Sequence, residues 1–186
     1  MLMSGTLLAC NSEAPTSATP KAEAAKETPI AKEAATTEAE QAKALLLAKW
    51  TGPFEGVPAF DKVSIAGLKG ALEEGMKLNL AEIDVIANNP DAANFENTIV
   101  EMERAGSVLR RVFRYYGIWS ATRSTPEFRD IQREMAPKLS AFSTKINQNE
   151  KLFERISAVR NGEEFNTLRP DQQRLVTLVY DGFARN

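Results

Sequence analysis

The sequence predicts an all-α fold, an antiparallel helical bundle preceded by a disordered tether. From residue 45 onward, apolar side chains recur at spacings of three and four, which is the period of one helix face. Residues that begin or end helices flank these stretches, among them Ser64, Thr125 with Pro126, and Asn161 with Gly162. No segment shows the strict alternation of apolar and polar residues that is typical of a half-buried strand.

The composition limits the chemistry that this chain can perform. Hydrophobic residues make up 43% of the 186 residues and charged residues 26%, the balance of a globular chain. Histidine is absent, which excludes Ser-His and Cys-His nucleophile systems, the His-Glu-x-x-His helix of zinc proteases and the Glu-x-x-His pairs of di-iron bundles. The single cysteine, Cys10, excludes an internal disulfide and a thiolate metal cluster. We therefore expect no catalytic, cofactor-binding or metal-binding residue in this chain.

Residues 1–10 are interpreted as the remnant of a lipoprotein-type signal. Residues 7–10, LLAC, resemble a bacterial lipobox, in which a signal peptidase cuts before the cysteine and the thiol then carries a diacylglycerol. Ala9 fits the narrow position before the cut, but residues 1–9 lack the basic start and the longer apolar stretch of a full signal peptide. Cys10 is the predicted lipidation site, which implies a membrane partner and a location in the cell envelope, facing the periplasm or the exterior. Without a lipobox, the expected location is cytoplasmic.

Residues 11–44 are predicted to be a low-complexity, disordered tether. They are rich in Ala, Glu, Lys, Thr and Pro, and they carry a net charge of −2. Such a segment does not bury enough apolar surface to offset its ordering entropy, and Pro15, Pro20 and Pro29 interrupt any helix. We expect order to begin near Leu45.

Residues 45–186 are predicted to form a helical domain that opens with an irregular arm and a long helix. Prolines exclude regular structure from the arm, and its aromatic side chains are expected to pin it to the body. These arm residues are Trp50, Pro53, Phe54, Pro58 and Phe60. The long helix is predicted from about residue 65 to 88, with Ser64 as its N-cap and an end before Pro90. Its apolar face comprises Ile65, Leu68, Leu72, Met76, Leu80, Ile83 and Ala87.

The second helix, predicted from about residue 95 to 121, has the most regular apolar pattern of the chain. Its apolar positions alternate at spacings of four and three, which indicates the seam of an antiparallel bundle. The seam residues are Phe95, Ile99, Met102, Gly106, Leu109, Phe113 and Tyr116. Gly106 is expected to let a neighbouring helix approach closely.

The third helix is predicted to begin at Thr125 and Pro126, with a capping hydroxyl followed by proline at the first position. Pro137 is expected to kink it. Asn149 then caps a short helix over about residues 150–159.

A last helix is predicted to begin near Pro170, with Leu175, Leu178, Val179 and Phe183 as its apolar residues. Its pattern is still apolar at Phe183, close to the end of the sequence. We interpret this as the truncation of a longer domain.

The remaining polar residues favour solvated surfaces over a reaction site. Neighbouring carboxylates, namely Glu73, Glu74, Glu101 and Glu103, are typical of a solvated helix face. The richest cluster combines Arg104, Arg110, Arg111 and Arg114 with Phe113, Tyr115, Tyr116 and Trp119. Such mixtures bind single-stranded nucleic acid, but the body has no net charge, so we predict no nucleic-acid partner. We expect these arginines to pair with acidic residues on adjacent helices, and a groove for an anionic ligand is the alternative.

Several strings in the body resemble bacterial peptidyl-dipeptidases, in the thimet-oligopeptidase family of zinc metallopeptidases. The strings are LLAKWTGPF (46–54), VPAFDKV (57–63), IDVIANNP (83–90), NFENTI (94–99), EMAPKL (134–139), LFERI (152–156) and PDQQRLV (170–176). The family usually reads Pro-Pro-Phe-Asp where this chain has Pro58-Ala59-Phe60-Asp61. Each string is modestly specific, but their shared order and spacing make the resemblance strong.

The resemblance implies a zinc peptidase of two helical halves around a deep channel, which removes C-terminal dipeptides from short peptides. The zinc ligands and the glutamate base of such enzymes lie in the C-terminal half, so no catalytic or metal-binding residue transfers to this chain. The chain would be part of the non-catalytic half, inactive alone. It would bind no zinc itself and would reach short peptides only through the missing half.

The rival hypothesis is a self-contained, lipid-anchored helical bundle that acts as a binding or interaction protein of the cell envelope. It predicts a cooperative thermal transition of a monomer. The peptidase hypothesis instead predicts marginal stability and self-association, because apolar faces meant for the missing half are exposed.

Overall fold

The computed structural model describes residues 29–53 and 56–185, and every regular element among them is helical. The α-helices are α1 (Pro29–Leu47), α2 (Leu68–Ala87), α3 (Glu101–Arg104), α4 (Ser107–Thr122), α5 (Pro126–Asn147), α6 (Glu150–Asn161) and α7 (Pro170–Ala184). Two 3-10 turns, Ile65–Gly67 and Glu163–Thr167, and a π-helical segment, Phe95–Val100, complete the set. In this part of the chain, β pairing is limited to one isolated bridge between Thr51 and Val57. The predicted all-α class is confirmed.

Helix α1 begins at Pro29, so helical structure starts earlier than the predicted position near Leu45. Pro29 occupies the first helical position, where no N–H donor is needed, and the alanines, glutamates and lysines that follow are good helix formers. Ala42 and Leu46 are buried, so packing against α2 and α4 stabilises the C-terminal half of α1. Residues 1–28, with Cys10, the signal remnant and the first part of the predicted tether, lie outside the described residues.

Helix α2 is central to the fold, because its side chains belong to both groups of buried apolar residues. The first group joins α1, the first half of α2, α4 and α5, through Leu46, Leu68, Leu72, Met76, Leu109, Val112, Tyr115, Trp119, Phe128 and Met135. The second joins the second half of α2, the π-helical segment, α6 and α7, through Ile83, Ile86, Phe95, Ile99, Leu152, Ile156, Val159 and Val176. Both groups exclude water from large apolar side chains, which is the main stabilising contribution to such a fold.

The predicted second helix is wrong as a continuous element, because the chain breaks at Gly106. This residue has φ +72°, in the left-handed region, and it separates α3 from α4. Its N–H donates to Oε2 of Glu82 on α2 at 2.5 Å, and an added Cβ would overlap the side-chain amide of Asn79. The expected close approach at Gly106 is therefore present.

The break also changes which residues of α4 face the core. Leu109, Val112, Tyr115 and Trp119 are the buried residues of this helix. The predicted seam residues Phe113 and Tyr116 are only half-buried beside them. The heptad pattern assumed a continuous helix through Gly106, and it therefore placed the buried face of α4 at the wrong residues.

The predicted starts of α5, α6 and α7 are confirmed. Oγ1 of Thr125 accepts the N–H of Phe128 at 3.2 Å, and Oδ1 of Asn149 accepts the N–H of Leu152 at 3.0 Å. Pro170 is the first residue of α7. These caps satisfy N–H groups that have no partner within their own helix.

Other local details differ from the prediction. Ser64 precedes the first turn in an extended conformation, but its side chain makes no capping hydrogen bond. On α7, the predicted residues Leu175, Val179 and Phe183 pack against the second apolar group, but Leu178 is 50% exposed and Val176 is the fully buried residue. Pro137 lies inside helix α5, and the kink expected there stays a prediction.

Candidate functional site

Several polar groups of the described residues converge on Arg155 of α6. Its side chain is buried, with 8% exposure. Nη1 donates to the carbonyl oxygens of Asn89 at 2.8 Å and Asp91 at 2.9 Å, and Nη2 donates to Oδ1 of Asn97 at 2.8 Å. A buried cation needs such acceptors because its desolvation is costly. Arg155 thereby joins the loop after α2 and the π-helical segment to α6.

Asn97 organises the other side of this junction. Its Oδ1 accepts three hydrogen bonds, from the N–H of Asn94 at 2.9 Å, from Oγ1 of Thr98 at 2.9 Å and from Arg155. Its Nδ2 donates to the carbonyl oxygen of Ala92 at 2.9 Å, and its N–H donates to Oδ1 of Asn94 at 2.8 Å. The two reciprocal hydrogen bonds between Asn94 and Asn97 form a capping box at the start of the π-helical segment.

Three of the strings that carry the family resemblance meet at this junction. Residues 83–90 supply the carbonyl of Asn89, residues 94–99 supply Asn97, and residues 152–156 supply Arg155. The groups present are donors, carbonyls and amides, which hold the backbone in place and provide no nucleophile or base. Sequence reasoning did not single out Arg155 because its acceptors lie 58 to 66 residues away along the chain.

Two arginines of α4 bind helix ends, which corrects the expected pairing with acidic residues. Nη2 of Arg111 donates to the carbonyl of Leu47 at 3.1 Å, and its Nε donates to that of Ala48 at 3.3 Å. Nη1 of Arg110 donates to the carbonyl of Ala105 at 2.5 Å, at the end of α3. These carbonyls have no partner within their helices and form the negative end of the helix dipole, so a guanidinium is a favourable cap.

The two other predicted arginines lie on the surface. Arg104 pairs with Glu101 at 2.6 Å, one turn earlier, and both side chains are largely exposed. Arg114 is exposed as well. The four arginines therefore do not converge on one binding groove.

The aromatic residues near these arginines hold the irregular arm. Trp50 and Phe60 pack edge-on against Tyr115, with ring centroids 6.0 Å and 5.0 Å away. The N–H of Ala59 donates to the hydroxyl of Tyr115 at 3.1 Å. The predicted pinning of the arm is confirmed for these residues, while Phe54 lies outside the described residues. Tyr115 and Trp119 are buried and offer no free ring face for a base to stack on.

An open cavity of about 350 Å³ lies between the arm and the end of α1. Leu45 and Val57 line it and are 45% and 49% exposed. Nε1 of Trp50, which also lines it, has no hydrogen-bond partner among the described residues, but the atom is shielded from solvent. The cavity wall also includes the charged residues Lys49, Asp61 and Lys62.

Glu73, one of the predicted surface carboxylates, belongs to a network of ion pairs between α2 and α5. Glu73 of α2 pairs with Lys138 of α5, and Glu134 of α5 pairs with Lys69 at 2.5 Å and Lys138 at 3.2 Å. Hydrogen bonds from Lys69 and Lys138 hold the pKa of the Glu134 carboxyl below its ordinary value. Hydrogen bonds to Glu73 and Glu134 raise the pKa of Lys138. This network ties α5 to α2.

In the residues that the structure describes, no three His, Cys, Asp or Glu side chains lie close enough together to hold a metal ion. None of the described helices combines the length and the apolar character needed to cross a membrane. Cys10, the predicted lipidation site, lies outside the described residues.

Comparison with known proteins agrees with the resemblance seen in the strings. Residues 72–181 match the N-terminal domain of the neurolysin/thimet oligopeptidase family, a range that contains the whole Arg155 junction. The dipeptidyl carboxypeptidase of Escherichia coli strain K12 is 31% identical over 127 residues, which is 68% of this chain and 19% of that protein. The dipeptidyl carboxypeptidase of Salmonella typhimurium is 29% identical over the same length. Oligopeptidase A of E. coli is 24% identical over 124 residues, 67% of this chain and 18% of that protein. The chain thus spans about a fifth of the length of these relatives.

Proposed function

Because the chain belongs to the neurolysin/thimet oligopeptidase family, we propose that it forms part of the non-catalytic helical half of a zinc metallopeptidase of the peptidyl-dipeptidase type. The relatives that it resembles are peptidases, which supports a peptidase-like function. The observation that carries the proposal is the Arg155 junction, because three separate family strings contribute to one buried network inside the matched range.

In this proposal, the chain is scaffold for the whole enzyme and helps to wall its substrate channel. The described residues do not fit a zinc site, so we assign no step of peptide hydrolysis to them. In such enzymes, zinc supplies an activated water and polarises the peptide carbonyl. The ligands for that ion and the substrate contacts belong to the rest of the longer protein.

An assay of peptide cleavage by the purified chain tests whether this chain lacks catalytic activity of its own. The chain is incubated with short peptides and zinc, with and without a chelator, and released dipeptides are measured by mass spectrometry. The E. coli dipeptidyl carboxypeptidase serves as the positive control. We expect no dipeptide release and no retained zinc, and chelator-sensitive release by the chain alone would overturn the assignment.

The downstream reading frame tests the enzyme part of the proposal separately. We expect it to continue into a helical half that contains His-Glu-x-x-His. A stop codon directly after Asn186, with no such motif in the gene, would contradict a peptidase.

We propose further that Cys10 carries the lipid that holds this protein at the cell envelope. The test expresses the gene in a bacterium, beside a Cys10→Ser variant, and measures partitioning into a detergent phase. The cysteine form is expected in the detergent phase and the serine form in the aqueous phase. An aqueous cysteine form would contradict the anchor and favour a cytoplasmic location.

A helical binding protein is the second candidate, and the open cavity beside Leu45 and Val57 favours it. It predicts that the 186-residue chain is monomeric and unfolds cooperatively. The scaffold proposal predicts marginal stability and self-association. Sedimentation and calorimetry on the same sample distinguish the two.

A further inference from the structure

We propose that Asn161 is a site of spontaneous deamidation at the junction between α6 and the 3-10 turn Glu163–Thr167. Asn161 is the last residue of α6 and its side chain is exposed. It precedes Gly162, and this is the one Asn-Gly pair of the sequence. Because glycine has no side chain, nothing shields its backbone nitrogen from the neighbouring side-chain amide.

The backbone at Gly162 leaves its nitrogen available for this reaction. Gly162 has φ −77° and ψ 163°, so the chain turns out of the helix at this residue. After α2 and α5, the corresponding N–H groups of Asn88 and Gln148 still donate to helix carbonyls, at 3.0 Å and 2.9 Å. Among the described residues, the N–H of Gly162 has no backbone acceptor. Rotation about the Cα–C bond of Asn161 therefore breaks no helical hydrogen bond made by this nitrogen.

The reaction needs only water as a co-reactant. The backbone nitrogen of Gly162 loses its proton and bonds to Cγ of Asn161, the Cγ–Nδ2 bond breaks, and ammonia leaves. The product is a five-membered succinimide ring. Water then opens the ring at either carbonyl, which yields aspartate or isoaspartate at position 161.

The new carboxylate would lie at an unfavourable place in the fold. It falls at the negative end of the α6 dipole and beside the acidic Glu163. Glu164 accepts the N–H of Phe95 at 3.0 Å and so ties this turn to the π-helical segment. Isoaspartate would also add one atom to the main chain between α6 and Glu164, which accepts the hydrogen bond from Phe95. Both products are expected to weaken the packing where α6 meets the 3-10 turn Glu163–Thr167.

Peptide mapping of the native chain after incubation at mildly alkaline pH tests the site. Asn166 is the internal control, because it is also exposed but precedes Thr167, whose branched side chain hinders attack. We expect aspartate and isoaspartate at Asn161 and intact amide at Asn166. The Asn161→Gln variant should stay unmodified. An intact Asn161 in the native chain, or conversion only in denaturant, would overturn the proposal.

The stability consequence has its own measurement. The Asn161→Asp variant should lower Tm by about 1–3 °C relative to the unmodified chain, as expected for one unfavourable charge at a helix end. The Asn161→Gln variant is the neutral comparison. Equal melting temperatures for the two variants would contradict the proposed destabilisation where α6 meets the 3-10 turn.

Discussion

Replacing Gly106 with alanine tests the break between α3 and α4. At this position φ is +72°, and an added Cβ would overlap the side chain of Asn79, which is 8% exposed. In a continuous helix, by contrast, the same substitution would replace a flexible residue with the best helix former. The two arrangements therefore predict opposite signs for the change in stability.

The expected size follows from three contributions. A left-handed backbone costs alanine about 1–2 kcal/mol, and displacement of the buried Asn79 amide adds about 1 kcal/mol. Alanine also lowers the conformational entropy of the unfolded chain, which stabilises the folded state by about 0.4–1 kcal/mol. Gly106→Ala should thus lower the free energy of unfolding by about 1–3 kcal/mol.

Gly117→Ala is the matched control, because Gly117 lies in α4 and an added Cβ there meets nothing within 4 Å. This variant should be more stable than the parent by about 0.5–1 kcal/mol. Urea unfolding followed by far-UV circular dichroism measures both variants. A Gly106→Ala protein as stable as the Gly117→Ala protein would refute the broken helix.

A double-mutant cycle then separates strain from overlap. Asn79→Ala combined with Gly106→Ala removes the overlap but leaves the left-handed backbone. The coupling energy between the two substitutions reports the overlap alone. A coupling near zero would assign the whole loss of stability to backbone strain.

Two further predictions concern polar contacts. Arg155→Met should lower the free energy of unfolding by about 1–3 kcal/mol, because the buried acceptors at Asn89, Asp91 and Asn97 lose their donor. The exposed Arg114→Met is its control in urea titrations, and equal unfolding midpoints would contradict a stabilising junction. For Glu134, the lowered pKa means that its contribution is present above the unfolded-state pKa and is lost as pH falls through the folded-state pKa. The stability difference between the parent and Glu134→Gln should therefore be small, shrink with salt and vanish in acid; a difference that persists in acid would contradict this account.

Local signals were enough to predict where several helices begin. Thr125, Asn149 and Pro170 act on backbone groups within one turn, so their role can be read from neighbouring residues. The break at Gly106 could not be read in this way, because Glu82 and Asn79 of α2 stabilise it from a distance. A glycine at a regular heptad position is compatible with a continuous helix until those contacts are known.

The partners of the arginines show the same limit. Composition and spacing indicate that Arg110 and Arg111 lie on an outer face, but free carbonyls at helix ends compete with acidic side chains for them. The spacing of charges in a sequence carries no information about which helix end lies opposite. The expectation of acidic partners therefore failed for a physical reason.

The Arg155 junction explains why separate short strings identify the family. Its hydrogen bonds connect residues 58 to 66 positions apart, so each string supplies donors or acceptors whose partners lie in another string. Asn97 needs both of its side-chain atoms, because Oδ1 accepts three donors while Nδ2 donates to Ala92. A substitution in one string leaves a buried polar group of another string unpaired. The matching order and spacing of these three strings therefore agree with one three-dimensional network, which joins α6 to the loop after α2 and to the π-helical segment.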